Sequence, residues 1–293
     1  MISMDNANSV RGLKLSDVEE TGLLTLYCRA VESESPDPIL RDEKALELVH
    51  KIDPLLVDTG RPLLKRLYTR KIDKQLVVYV ALRAVHYDHC AKSFIANHPE
   101  GIIVNIGCGM DTRFFRIDDG KLPFFDLDLP QIITAKKKLL SETERYHMIG
   151  KSVFDYTWMD QVAALGVRPV MFLAEGVFMY LPEDQVRALV LELQKRFPGS
   201  ELVCEVVNKR WIQGFFGKIT AVKMNRRMNI GKQAGFLFGL TDSRELESWH
   251  SGIQYVDEWS YFESNHEKLG TLRMVANWPL FRKAQYTVHY RLN

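Results

Sequence analysis

Val104-Asn105-Ile106-Gly107-Cys108-Gly109-Met110-Asp111, followed by Phe124-Phe125-Asp126-Leu127-Asp128, is the stretch whose reading decides the fold. Ile102 to Ile106 is a short β-branched run that ends in glycines, and the second run stops just before Pro130, a residue suited to the first turn of a helix. Working outward, a helix is expected from about Gln131 to Glu142, then strands at Tyr146 to Ile149, Val170 to Glu175 and Glu201 to Val207. Helices near Trp158 to Leu165 and Pro182 to Phe197 separate them. Upstream, Leu76, Val80, Ala84, Tyr87, Ala91 and Ile95 recur at helical spacing until Pro99. Gln254 to Trp259 and Gln285 to Arg291 are two further strands, the last with Tyr286, Val288 and Tyr290 alternating with polar residues as in an antiparallel strand.

Strand and helix signals alternate as they do in a parallel sheet with crossover helices. The expectation is therefore α/β: a doubly wound, seven-stranded, mostly parallel, Rossmann-like sheet. It carries a helical N-terminal extension (1–99), a cofactor-binding core (100–207), a lid insertion (208–241) and a C-terminal return to the core (242–293), all in one domain. The 293 residues are 46% hydrophobic and 26% charged, and Lys+Arg 39 against Asp+Glu 37 leaves +2, too weak a field to indicate nucleic acid or a membrane as partner. The four cysteines stand far apart, which suits a reducing cytoplasm, and the first residues lack an export signal. No apolar run approaches the length of a membrane span.

In an open α/β sheet a ligand sits beyond the carboxyl ends of the strands where their order reverses, beside the first strand. Gly107 and Gly109 permit a sharp strand-to-helix turn and a close backbone approach, and alone they indicate no more than that. The acidic pair about 20 residues on can accept from the ribose hydroxyls of an adenosine. Asp126 and Asp128 share a face, so either can serve, and Asp128, nearer the strand end, is favoured. A dinucleotide cofactor, and with it an NAD(P)-dependent oxidoreductase, is the alternative. The third glycine of its fingerprint is missing, and Asp111 stands where a pyrophosphate needs neutral or positive surroundings, unless it caps the next helix.

Three ordered blocks carry a resemblance: Asn105 to Arg116, then Phe125 to Pro130 with Lys136, then Ala174-Glu-Gly-Val-Phe-Met-Tyr-Leu-Pro182. They resemble the leucine carboxyl methyltransferase family, which includes bacterial O-methyltransferases of polyketide-type metabolism, and the similarity runs from about Thr25 onward. It implies a class I methyltransferase fold and S-adenosyl-L-methionine as cofactor. It further implies that Arg83 holds the methionyl carboxylate, Asp155 lies near the adenine and Glu175 faces the methionyl amino group. An arginine fork suits a carboxylate, and a carboxylate suits an ammonium. Asn105 replaces the acidic residue common at that point in many methyltransferases, and nothing identifies a phosphatase-binding surface.

The acceptor is expected to be a small molecule or peptide carrying a carboxylate or hydroxyl. A carboxylate needs no base at neutral pH, whereas a hydroxyl would call on Tyr180, His86, His89 or His250. His86-x-x-His89-Cys90 lacks a fourth ligand, so no metal is expected. Between Val206 and Thr241 stand seven basic residues, Lys209, Arg210, Lys218, Lys223, Arg226, Arg227 and Lys232, with no Asp or Glu. With Phe215, Phe216, Met224 and Met228 they read as a lid over an acidic acceptor, or as a solvated helix.

Overall fold

The computed structural model describes residues 17–57, 60–212, 235–264, 266–275 and 278–293. Most of the expected lid, including Lys218, Lys223, Arg226, Arg227 and Lys232, lies outside the described residues. The chain divides into two compact units, one formed by the residues up to Ala84 with Gly109–Thr112, the other by Val85–Cys108 with Arg113–Asn293.

The larger unit holds the sheet: β1 (Ile102–Ile106), β2 (Phe124–Asp128), β3 (Tyr146–Gly150), β4 (Val170–Ala174), β5 (Ser200–Val207), β6 (Ile253–Trp259) and β7 (Gln285–Leu292). Their spatial order is β3-β2-β1-β4-β5-β7-β6. β1 through β5 run parallel, and β7 inserts antiparallel between β5 and β6. The order reverses at β1, which pairs with β2 on one side and β4 on the other, so a crevice opens at their carboxyl ends. β1 and β4 are buried throughout, as central parallel strands covered on both faces must be.

One face of the sheet presents Val104, Leu127, Phe172, Cys204 and Val288 to a core that includes Trp158, Val162, Val186, Leu189, Val190 and Leu193. The last four lie on α8 (Glu183–Arg196) at helical spacing, an apolar stripe that turns that helix onto the sheet. Glu183 and Asp184 in its first turn and Lys195 and Arg196 in its last complement the helix dipole. α6 (Pro130–Lys137) starts one residue before the expected Gln131 and ends five residues short of Glu142. The backbone N–H of Lys138 turns back to Ala135 and Lys136, and the Glu142 carboxylate is drawn away to accept from the Met148 N–H at 2.7 Å.

In the smaller unit, α1 (Asp17–Ser33), α2 (Glu43–Leu56) and α3 (Pro62–Tyr68) are followed by the start of α4 (Lys74–Asn97), which continues into the larger unit. Leu26, Tyr27, Leu48, Val49, Leu64 and Leu67 are buried in the helical unit. Asp42 caps α2 by accepting from the Ala45 N–H at 2.9 Å. Among the described residues no helix is long and apolar enough to cross a membrane.

Candidate cofactor site

Sheet order brings four of the expected residues to one edge. Gly107 follows β1, Asp128 ends β2, Asp155 lies in the loop after β3, and Glu175 follows β4. These strands are neighbours and parallel, so all four lie at their carboxyl ends.

Gly107 has φ of 62°, and a Cβ placed on it would come within 2.5 Å of Val177 Cγ2. The turns leaving β1 and β4 therefore approach each other more closely than any side chain at this position permits. The N–H groups of Gly107 and Cys108 both reach back to the Leu127 carbonyl, at 2.7 and 3.2 Å. In the helical unit the rest of the loop is pinned: Arg29 donates to the Met110 carbonyl at 2.8 Å and to Asp42 at 2.9 Å, and Thr112 donates to Asp42. Asp111 accepts at 2.8 Å from the N–H of Thr112, the residue just before the helix that begins at Arg113.

The two carboxylates of β2 part company. Asp126 is 1% exposed, ion-paired to Lys136 at 2.7 Å, and accepts from Asn105 at 3.0 Å and from the Tyr146 hydroxyl. Asp128 is half-buried at the strand end, one oxygen accepting from the Leu129 N–H at 2.7 Å. A carboxylate committed to three partners inside the protein is a structural group, so Asp128 is the better placed to receive a ligand.

Glu175 is held by Arg113, the first residue of α5 (Arg113–Ile117). Arg113 in turn donates to Asp88 on α4 at 2.8 Å, Arg116 donates to the same carboxylate at 2.7 and 3.0 Å, and the Arg113 guanidinium stands 5.4 Å from the Tyr87 ring centroid. Sequence reading assigned no role to Arg113, Asp88, Arg29 or Asp42. Arg113 does sit inside the block from Asn105 to Arg116, where a charged residue beside Phe114 and Phe115 was the available signal.

Asp155 is exposed and engaged locally. It accepts from Thr157, whose N–H and hydroxyl hold its carboxyl below the usual range, and Lys151 stands 3.6 Å away. Arg83, on α4, is half-buried, and its charge opposes the burial that pushes the Cys28 thiol up to about 12.

The candidate bases are dispersed. Tyr180 lies in the 3-10 turn Phe178–Tyr180 just beyond Glu175, its ring 5.6 Å from that of Phe236. His86 stacks on Trp259 at the end of β6, centroids 4.3 Å apart, while His89 is exposed. His250 lies before β6, whose first residue Ile253 is level with Leu292, itself paired to Ser200 at the start of β5. That is the opposite edge of the sheet, where the His250 ring accepts from the Gly252 N–H at 3.0 Å. Among the described residues no three His, Cys, Asp or Glu side chains gather to hold a metal ion.

Burial lowers the His86 pKa to about 4, with the nearby His89 and His289 acting in the same direction and Glu175 opposing them. The folded state thus binds this proton less readily than the unfolded chain, so the stability held above pH 6.5 is lost as pH falls toward 4. Urea unfolding is expected to lose up to about 3 kcal/mol over that window on this account, from the gap between the two values. His86→Phe should flatten that part of the profile. An identical pH dependence in both proteins refutes it.

A parallel sheet of this order with an antiparallel strand inserted next to its edge, a glycine turn after the first strand and carboxylates after the second and fourth define a class I methyltransferase. The chain matches the leucine carboxyl methyltransferase family over residues 22–194. It is 30% identical over 267 residues to the tetracenomycin polyketide synthesis O-methyltransferase TcmP of Streptomyces glaucescens, covering 91% of this chain and 90% of that protein. It is 28% identical over 274 residues to the S-adenosyl-L-methionine-dependent methyltransferase dpfgK of Gibberella zeae, covering 91% and 89%. The crystal structure of a DUF574 family protein from Streptomyces avermitilis shares the fold with a TM-score of 0.53 at 13% identity, covering 84% of this chain and 97% of that one. The chain belongs to the leucine carboxyl methyltransferase family and is an S-adenosyl-L-methionine-dependent methyltransferase. The oxidoreductase alternative has no support among these relatives.

Proposed function

We propose that the protein is an O-methyltransferase that methylates a carboxylate or hydroxyl of a small molecule or peptide, with an acidic acceptor favoured. The observation that carries the reading is the likeness, along nine-tenths of both chains, to a relative named as an O-methyltransferase. The residues fit the cofactor. Gly107 keeps the crevice free of a side chain, Asp128 offers a carboxylate to the ribose, and Glu175 offers one to the methionyl ammonium. Arg83 is assigned the methionyl carboxylate, Gly109 completes the turn, and Asp155 is the candidate nearest the adenine.

When bound, S-adenosyl-L-methionine supplies an electrophilic methyl carbon on a sulfonium. The chain's own residues then have to bind, orient and keep water out, so that an acceptor oxygen lies in line with the bond that breaks. A carboxylate acceptor is already ionised. A hydroxyl must lose its proton, and of the candidates Tyr180 lies just beyond Glu175, while His86, stacked on Trp259 of the outer strand β6, is neutral at pH 7.

The acidic preference rests on the one-sided charge of the segment between Val206 and Thr241. Lys209 adds nothing to it, being paired with Glu245 at 2.6 Å and Glu183 at 3.1 Å. The test is a panel of carboxylic acids, phenols and amines incubated with labelled cofactor, with esters told from ethers by their lability to alkali. Transfer to nitrogen alone sinks the oxygen assignment, and transfer to neutral hydroxyls alone sinks the acidic one.

Arg83→Ala is expected to weaken S-adenosylhomocysteine binding by about 1.5 to 3 kcal/mol, the range for hydrogen bonds to a charged group. Calorimetry measures it, with NAD as the control ligand. An unchanged dissociation constant removes Arg83 from the site.

A further inference from the structure

Arg116, Asp88, Arg113 and Glu175 form a row of alternating charge, linked at 2.7 Å between the first two, at 2.8 Å between the next, and by the Arg113–Glu175 ion pair. All four side chains are largely buried, with Arg113 fully so at 0% and Glu175 the most exposed at 12%. Arg113 is also oriented by the ring of Tyr87, whose hydroxyl donates to the Ala174 carbonyl at 3.3 Å, the last residue of β4. The guanidinium is thus tied to the strand that delivers Glu175, as well as to Glu175 itself. One Glu175 oxygen accepts from Arg113, and the two oxygens of a carboxylate together offer about four acceptor positions.

We propose that Arg113 is a positioning residue for cofactor recognition, holding the Glu175 carboxylate in the orientation in which it meets the methionyl ammonium. Buried cations on both sides of Asp88 keep Arg113 in register, and the ammonium is the next charge in the alternating row. A carboxylate held in advance loses no side-chain freedom when the ligand arrives, which places the gain in affinity on the amino-acid end of the ligand. This rests on the reading that Glu175 faces that amino group.

The experiment compares two ligands by calorimetry: S-adenosylhomocysteine, and 5′-methylthioadenosine, which keeps the adenosine and thioether but lacks the amino-acid end. Glu175→Gln, Arg113→Gln, Arg113→Lys and Asp88→Asn are measured in parallel. Arg113→Gln is expected to weaken S-adenosylhomocysteine by about tenfold to a hundredfold and methylthioadenosine by less than about threefold, with Arg113→Lys and Asp88→Asn in between. In turnover, KM for the cofactor should rise more than kcat falls. Should Arg113→Gln fail to fold, Arg113→Lys, which keeps a buried cation without the planar fork, gives the same comparison. Equal losses on both ligands, or none, in the arginine variants overturn the proposal. If Glu175→Gln is itself unselective, the reading of Glu175 fails and the proposal falls with it. If Glu175→Gln is selective and the arginine variants are not, only the role of Arg113 is lost.

Discussion

Gly107→Ala is expected to remove cofactor binding and to destabilise the protein by about 2 to 6 kcal/mol, because it meets two separate obstacles. The backbone at this residue is left-handed, with φ of 62°, which costs a non-glycine residue about 1 to 3 kcal/mol. The new methyl group would also stand 2.5 Å from Val177 Cγ2, and overpacking of this kind adds about 1 to 3 kcal/mol. The two contributions separate in the double variant Gly107→Ala with Val177→Ala, which relieves the contact and leaves the dihedral strain. Urea denaturation reads the stability, and calorimetry with S-adenosylhomocysteine reads the site. A neutral Gly107→Ala, or a double variant no more stable than the single one, contradicts the close approach of the two turns.

The second large effect concerns the two aspartates of β2, which the structure expects to fail in different ways. Lys136→Met leaves the Asp126 carboxylate buried without its cation, and breaking a buried pair from one side costs about 3 to 5 kcal/mol. Combining it with Asp126→Asn removes both charges and should recover part of that loss. In folded protein, S-adenosylhomocysteine binding should change little in either case. Asp128→Asn should behave in the opposite way, with nearly unchanged unfolding and affinity lowered by about tenfold, since its half-buried carboxylate lies at the crevice edge. A loss of affinity that follows Asp126, with stability following Asp128, reverses the assignment.

Much of this was legible from spacing along the chain. β1 and β2 begin and end at the residues where the β-branched run, the glycines and Pro130 place them, and β3, β4, β5, β6 and β7 fall within one residue of expectation at either end. Those signals are local: a strand, a turn and a helix start each depend on a few consecutive side chains. The overestimated helix after Pro130 failed because Glu142, a good helix residue, was claimed by the Met148 N–H of the neighbouring strand.

The sequence by itself determined the strand pattern, the glycine turn and the acidic residues at strand ends, and through them the fold class, while the cofactor followed from the resemblance of the ordered blocks to the leucine carboxyl methyltransferase family. It favoured Asp128 over Asp126 only for standing nearer the strand end, since alternation puts both on one face. Only the fold shows that the two differ in surroundings, by bringing Lys136 from α6 and Tyr146 from β3 onto Asp126. In the same way the position of His250, just before β6 and level with the start of β5, is set by the antiparallel pairing of β7 with both strands. Arg113 gained its place from Asp88, 25 residues earlier, and Glu175, 62 residues later. Such pairings depend on a side chain's surroundings in space, where burial makes each unpartnered charge costly, and nothing in the spacing of residues along a chain encodes which distant group will provide the partner.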